Sequence, residues 1–563
     1  MNPISRRDAA ILFIAAFLVL VTGAFWGLPS GKSVAGALVI LDGGAPYRDF
    51  WTMYAPGQFY AVAALYALFG RQLLLQAVAA CLVRAASAVV FLRLLHRVGA
   101  TRAQAFGASA VFVLMFWRTA PELTDYPLAL LFLLLAVDRA VRYFGGGGIT
   151  HLRWTGAWLG VAAWFKHDIS AYITIGIVIS LFASWFLVGH RRPAGWASAL
   201  RASLTVVTAA LVMIAPVAIW TAATAGAAAW QDLIVFPSTV FSKVRGEPFP
   251  PLVPDVRPVL RWLADVSNAR RALQAADPLA TWVTLYAPAL IFIAGAGVLV
   301  WKRRQLDPAR LAVLSLGVAC SPFFWAAAHV QHNTHPYTLA ILAALSVAVM
   351  WCTPGDVTGW RTRLRGPVIV GVCIYSIGLM TSPAVNAATV YYEWDGSRVL
   401  DLPGLRGIRL PARLYNSYQP LGQFFRAHVP DGEPIYAGLL RHDSIVVNNS
   451  LLYAIAGRPA CCGYTELHPG VADRAPIQQD IIRRLDAGGV RAVALWQFGW
   501  ADEVMEARKR HTMAGVPDAG SMILDRYIAQ QFEVVARYGE YHVLWRRNAP
   551  RPPGVTPLPP DID

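Results

Sequence analysis

The chain has 563 residues, of which 56% are hydrophobic and 15% charged, with a mean hydropathy of +0.46. A soluble domain carries about 25% charged residues, and no water-surrounded core buries so many apolar runs of membrane length, so a soluble globular protein is excluded over most of the chain. The formal net charge of +16 does not point to nucleic acid, because the basic residues stand in short clusters between apolar blocks, where they set membrane orientation.

The first apolar run follows Ser5-Arg6-Arg7-Asp8 and shows no clear small-residue cleavage site before Trp26. It reads as a retained helix over 9–28 rather than a signal peptide. Further spans are predicted over 72–95, 102–118, 123–142, 152–167, 169–189, 199–224, 279–301, 308–328, 335–352 and 366–385, about eleven in all. With Arg6 and Arg7 in the cytoplasm, alternating crossings place five basic clusters inside. These are His96, Arg97 and Arg102; Arg139, Arg142 and Arg153; Arg191, Arg192 and Arg201; Lys302, Arg303, Arg304 and Arg310; and Arg361, Arg363 and Arg365. The long loops 29–71 and 225–278, and everything after 385, then fall outside. Segment 58–70 is too short to cross and suits a helix lying in the interface.

The expected fold is therefore a mainly α polytopic membrane bundle over 1–385 with an extracytoplasmic α/β domain over 386–549. In that domain, β-rich runs at 434–438, 490–496 and 541–545 alternate with helical segments at 418–428, 475–486 and 521–531. The Pro-rich tail, 550–563, reads as disordered. Six cysteines are too few for a disulfide framework, and the adjacent pair Cys461-Cys462 suggests no chemistry of its own.

Ionisable groups at membrane depth are costly and face cavities. Lys166-His167-Asp168 interrupts a long apolar stretch. It reads either as a plain turn, with Lys166 reaching outward, or as a cationic site for a lipid phosphate. His329, His332 and His335 surround the start of a later span. A metal site, a polar lining for a headgroup cavity and a simple helix cap before Pro336 all fit them. Glu122 and Asp125 begin a span, where they serve as helix-dipole caps or as an acid or base near the same cavity. The densest polar stretch is the first loop, from Leu41 to Tyr60, where Asp42, Arg48, Asp49, Trp51 and Tyr54 stand just outside the membrane. A carboxylate there suits deprotonation of a hydroxyl, and aromatic faces suit sugar rings. In the tail, Arg441-His442-Asp443, Asn448-Asn449 and the run from Glu466 to Gly470 are polar and turn-rich. They read as a loop packed on the membrane domain or as acceptor recognition.

The run Gly44-x-Pro-Tyr-Arg-Asp-Phe, then Ala55-Pro56-Gly57-x-Phe-Tyr and Leu68-Phe69-Gly70, resembles the first extracytoplasmic loop of the GT-C glycosyltransferases, the relatives of protein mannosyltransferase and lipid A aminoarabinose transferase. Similar proteins share the spacing of Gly156, Gly160 and Lys166 and the polar, His-containing start at His332 to Pro336. The resemblance implies transfer of a sugar from a polyprenyl-phosphate carrier in the bilayer to a glycan, lipid or protein acceptor, with inversion. A first-loop carboxylate is the base, and cations stabilise the departing phosphate. On that reading Asp49, with Asp42 beside it, is the catalytic carboxylate. Arg48, Tyr54, Lys166, His167, Asp168, His332 and His335 hold the donor. No cofactor is required, though the histidines leave room for a divalent cation. The expected location is the bacterial cytoplasmic membrane, and nucleic acid is not a partner. The relatives' acidic residue about fifteen positions before the Pro-Tyr motif is replaced here by Leu28-Pro29-Ser30-Gly31-Lys32. A flippase for lipid-linked sugars and a non-catalytic scaffold are the alternatives.

Overall fold

The Ser5 hydroxyl accepts the Asp8 N–H, and the Asp8 carboxylate accepts the Ser5 N–H, so a reciprocal cap starts α1 (Arg6–Ala24). The structure is a computed structural model and describes residues 4–29, 31–117, 122–188, 195–246, 249, 251–253, 257, 269–301, 305–328, 335–352, 375–381, 384–385 and 387–558. After α1 come two short helices, α2 (Lys32–Leu41) and α3 (Gly57–Phe69). Then follow α4 (Leu73–Arg97), α5 (Arg102–Met115), α6 (Asp125–Phe144), α7 (Thr150–Ala163), α8 (His167–Val188) and α9 (Trp196–Ala225). Short helical turns run from Ala227–Trp230 to Ser242–Arg245, followed by α10 (Ala269–Trp301), α11 (Pro308–Ala328) and α12 (His335–Cys352).

Among the described residues, six helices are long and apolar enough to cross a bilayer: α1, α4, α8, α9, α10 and α11. The protein is a multi-pass membrane protein. Each predicted span from 9–28 to 335–352 falls on a helix, while most of 366–385 lies outside the described residues. Six is the count by length and apolarity alone, which leaves out α5, α6 and α7. At about 1.5 Å rise per residue, the 14 residues of α5 or α7 fall short of the hydrocarbon thickness. Helix α6 is long enough but carries Asp125, Asp138, Arg139 and Arg142. Asp138 is buried between Arg97 at 2.8 Å and Arg142 at 2.9 Å, so the charge in that helix is neutralised within the protein. Apolar side chains such as Ile11, Ile14 and Leu18 on α1 and Leu204 and Leu211 on α9 face outward, as lipid contact requires.

Helix α7 lies against α9 at very short range. A Cβ on Gly156 would stand 2.2 Å from the Val206 carbonyl oxygen, and one on Gly160 2.5 Å from that of Ala210. Small residues spaced by four let helix backbones touch where no hydrophobic effect drives association.

The C-terminal part opens with a two-stranded ribbon, β1 (Arg398–Val399) and β2 (Arg409–Leu410), and α13 (Ala412–His428). A four-stranded sheet follows, formed by β3 (Tyr436–Leu439), β4 (Ala492–Trp496), β5 (Phe532–Tyr538) and β6 (Tyr541–Arg546) in the order β3-β4-β6-β5. β3 and β4 are parallel and the other pairs antiparallel. The sheet is accompanied by α14 (Leu452–Ala456), α15 (Ala475–Ala487), α16 (Asp502–Gly515) and α17 (Ile523–Gln531). All four residues of β3 and the first four of β4 are buried, so both sheet faces are covered. Residues 550–558, expected to be disordered, pack on the sheet instead. Val555 is buried, the Leu558 N–H donates to the Val534 carbonyl at 2.8 Å, and Arg551 pairs with Glu533.

This α/β part is fused to the helices. The Phe25 carbonyl accepts the Arg409 N–H at 2.8 Å, Trp26 stacks on Trp394, and Gly404 accepts the Leu73 N–H at 2.8 Å. Val34, Tyr66 and Leu73 share one apolar core with Leu400, Leu410 and Leu451.

Candidate functional site

Gly31 sits at φ +85°, and a Cβ on it would fall 2.3 Å from the backbone nitrogen of Leu451. Only glycine meets both demands, and so α2 starts against the C-terminal domain with Lys32 as its first residue. A cation at a helix N-terminus opposes the helix dipole. Lys32 is held there by Asp125 at 3.5 Å and by the face of Tyr54, whose centroid lies 3.6 Å from Nζ.

Asp125 opens α6, where a carboxylate suits the dipole, and its N–H donates to Gln58 Oε1 at 3.2 Å. Its other oxygen meets Lys166 Nζ at 3.2 Å, and Asp168 lies 3.7 Å from the same ammonium. Both Lys166 and Asp125 are buried, at 6% and 5% exposure. Lys166 stands on the turn between α7 and α8. The first-loop motif fastens that turn: the Gly57 N–H donates to the Trp164 carbonyl at 2.8 Å, and a Cβ on Gly57 would sit 2.5 Å from the same oxygen. Gly57→Ala must push backbone away from backbone, and a loss of about 1–3 kcal/mol in stability is expected in thermal unfolding.

The C-terminal domain adds Glu466 and His468, both buried. Glu466 Oε1 lies 3.1 Å from His468 Nε2. Burial opposes ionisation of Glu466, but His468 and Lys32 outweigh it and hold the carboxyl below its ordinary pKa. The network thus runs Lys166, Asp125, Lys32, Glu466, His468, across two helices, the turn between α7 and α8, and the α/β domain. Trp51 lies 5.5 Å from the His468 ring, and Phe241 lies 5.8 Å from it.

The Trp51 indole donates to Asp232, whose carboxyl burial pushes up to about 7 against that hydrogen bond. A carboxyl raised on folding binds its proton more tightly in the native state, so its contribution favours folding at low pH and is lost as pH rises toward 7. Asp232→Asn is therefore expected to raise the melting temperature relative to the native chain at about pH 8 and to change it less at about pH 5.

Asp42, Arg48 and Asp49 fall elsewhere. They line a cavity of about 370 Å³ with Val39, Tyr453 and Thr465, between α2 and the C-terminal domain. Tyr47, at φ +65°, makes the turn that presents them, and its hydroxyl donates to the Tyr54 carbonyl at 2.6 Å. Asp49 Oδ2 accepts the Ala45 N–H at 2.7 Å and lies 2.6 Å from an Arg48 nitrogen. The Arg48 bond is the main cause that holds the Asp49 carboxyl below its ordinary pKa, which makes it a weaker base. Asp42 pairs with Arg71 at 3.0 Å. The two groups of predicted residues therefore share one end of the bundle but separate into two places. Tyr54, Lys166 and Asp168 belong to the lysine network, and Asp42, Arg48 and Asp49 belong to the cavity beside it. His167 follows Lys166 as the first residue of α8. His332 lies outside the described residues, and His335 is described only as the start of α12. Among the described residues, no three His, Cys, Asp or Glu side chains group as metal ligands do.

Lys32, Asp125, Glu466 and His468 are absent from the residues assigned catalytic or donor-binding roles in the sequence. Lys32 stood out only as the replacement of an expected carboxylate. Asp125 and the run from Glu466 to Gly470 each carried two readings, and only contacts between distant segments choose between them.

No protein-family model matches the chain, and no curated protein matches its sequence. Among solved structures, ArnT from Cupriavidus metallidurans bound to undecaprenyl phosphate is similar with a TM-score of 0.53 at 13% identity, over 96% of this chain and 98% of that one. The same protein in the apo state gives a TM-score of 0.49 at 14% identity, over 95% and 97%. At such identity a likeness speaks for architecture alone. The shared architecture is a helical membrane bundle that carries a C-terminal α/β domain.

Proposed function

We propose that the protein is a membrane glycosyltransferase that moves a sugar from a polyprenyl-phosphate carrier to an acceptor outside the bacterial cytoplasmic membrane, with the C-terminal domain on the outer side. One observation carries this reading. Two ammonium groups, the half-buried Lys32 and the buried Lys166, come from different elements and meet at one carboxylate at the end of the bundle that bears the α/β domain. Paired lysines beside an apolar bundle suit a lipid phosphate, which enters from the bilayer and binds as a compact anion. The fold likeness to a protein crystallised with undecaprenyl phosphate supports the same ligand class.

In this reading Lys166 and Lys32 stabilise charge that gathers on the phosphate as the bond from anomeric carbon to phosphate oxygen breaks. Asp125 keeps both ammonium groups aimed at one point, and Tyr54, His167 and Asp168 flank them. The cavity with Asp42, Arg48 and Asp49 receives polar groups of the acceptor. The acceptor hydroxyl attacks from the opposite face, which inverts the anomeric centre.

The test uses full-length protein in lipid nanodiscs and vesicles with radiolabelled polyprenyl-phosphate hexose or pentose and an envelope extract. Label in an acceptor supports transfer. Label carried across a sealed vesicle without a new glycosidic bond sinks transfer in favour of transport, and binding with neither outcome marks a scaffold.

A further inference from the structure

The relatives' earlier first-loop acidic residue is replaced here by the run Leu28 to Lys32, and Asp49 is already engaged by Arg48 and the Ala45 N–H, so the reaction proposed above needs another proton acceptor. We infer that His468, oriented by Glu466, is the group that takes the proton from the acceptor hydroxyl. The inference rests on the transferase reading and deepens it.

His468 is 1% exposed, and its Nδ1 has no hydrogen-bond partner among the described residues. Buried polar atoms are nearly always paired, and an exception needs an explanation. A structural imidazole in a core satisfies both nitrogens. Here Nε2 is taken by Glu466 at 3.1 Å, while Nδ1 is left empty. The carboxylate selects the tautomer that carries its proton on Nε2, which makes Nδ1 the free lone pair. This is the arrangement of a base held by an orienting carboxylate.

The loop around it is rigid. The Leu467 N–H donates to Asn448 Oδ1 at 2.8 Å, and the His468 carbonyl accepts the Val471 and Ala472 N–H groups at 3.1 Å. Glu466 also feels Lys32 and Asp125, so the dyad stands beside the proposed phosphate site. Trp51 and Phe241 border the imidazole, with ring centroids 5.5 and 5.8 Å away. Asp232 is bonded to Trp51, which borders the imidazole, and Arg245 acts on Tyr54. Asp49 is a poorer acceptor, because its Oδ2 already serves Arg48 and the Ala45 N–H.

The step balances. The acceptor O–H bond breaks and its proton goes to Nδ1. The oxygen pair forms the new bond to the anomeric carbon, and the electrons of the old bond leave on the phosphate. The imidazolium, stabilised by Glu466, then returns its proton to water.

The experiment measures transfer by the full chain in nanodiscs from about pH 5 to pH 9, with undecaprenyl phosphate binding measured on the same samples. His468→Gln is expected to lower kcat by about 10²–10⁴-fold, to abolish the fall in rate on the acid side, and to leave undecaprenyl phosphate affinity unchanged. Glu466→Gln is expected to move that acid limb to lower pH, because the imidazolium loses its stabilising carboxylate. Should His468→Gln not fold, the limb shift in Glu466→Gln decides. Native kcat and an intact acid limb in His468→Gln overturn the inference while the transferase reading stands. Disappearance of the limb in Asp232→Asn or Asp49→Asn instead overturns it equally. A native protein that transfers no label overturns both.

Discussion

Lys166→Gln is expected to lower transfer from a polyprenyl-phosphate sugar by about 10²–10³-fold, the usual effect of removing one group aimed at developing charge. Undecaprenyl phosphate affinity falls with it, because the same ammonium meets the ground-state phosphate. The fold survives this change: Asp125 keeps Lys32 at 3.5 Å, so no buried carboxylate is stranded. Removing both lysines is different and costs about 3–5 kcal/mol, as for any buried ion pair broken from one side. Lys166→Arg keeps the charge but places a wide planar group where a compact ammonium sits between Asp125 and Asp168, and intermediate activity is expected. Transfer rate and lipid-phosphate affinity, measured on the single and double variants, check each statement. A Lys166→Gln protein with native transfer would remove the phosphate site from this network.

Gly156→Leu is expected to have the largest effect on assembly. Its Cβ alone would lie 2.2 Å from the Val206 carbonyl oxygen and 2.7 Å from the Ala209 Cβ, so α7 and α9 must part along their length. The cost exceeds the usual overpacking range of about 1–3 kcal/mol, because backbone rather than a flexible side chain is displaced. Activity falls as well, since α7 leads into the turn that carries Lys166. Gly107 on α5 meets nothing within 4 Å and provides the control. Gly107→Ala is expected to leave melting temperature and monodispersity in detergent at or slightly above native values. Equal behaviour of the two variants would show that the α7–α9 contact does not limit stability.

The helices were legible because span length and apolarity are local properties, and the interface-length helix over 58–70 appears as α3 for the same reason. Strands β3, β4 and β6 were legible as short runs of buried residue types. β5 was not, because α17 ends at Gln531 and β5 starts at Phe532 without a turn signal between them. The Pro-rich tail misled because composition reports what a segment can bury alone. Val555 and Leu558 order it against a sheet formed earlier in the chain. In the site, the first-loop motif was legible as a motif, yet much of it does anchoring work: Gly57 on Trp164, Trp51 on Gly463, Asp49 on Ala45.

A multi-pass helical bundle with an α/β domain after it was readable along the chain, and Lys166-His167-Asp168 stood out there as polar groups in need of a reason. Apolar length and residue period are enough for that. Which charges meet was decided only by the tertiary structure. Lys32 at the start of α2, Asp125 at the start of α6, Lys166 on a turn and Glu466 in the other domain have no pattern in common along the chain. They converge because helices whose polar ends lie at one face of the bundle bring their termini together. Buried charges there must pair with whatever the fold places within a few ångströms.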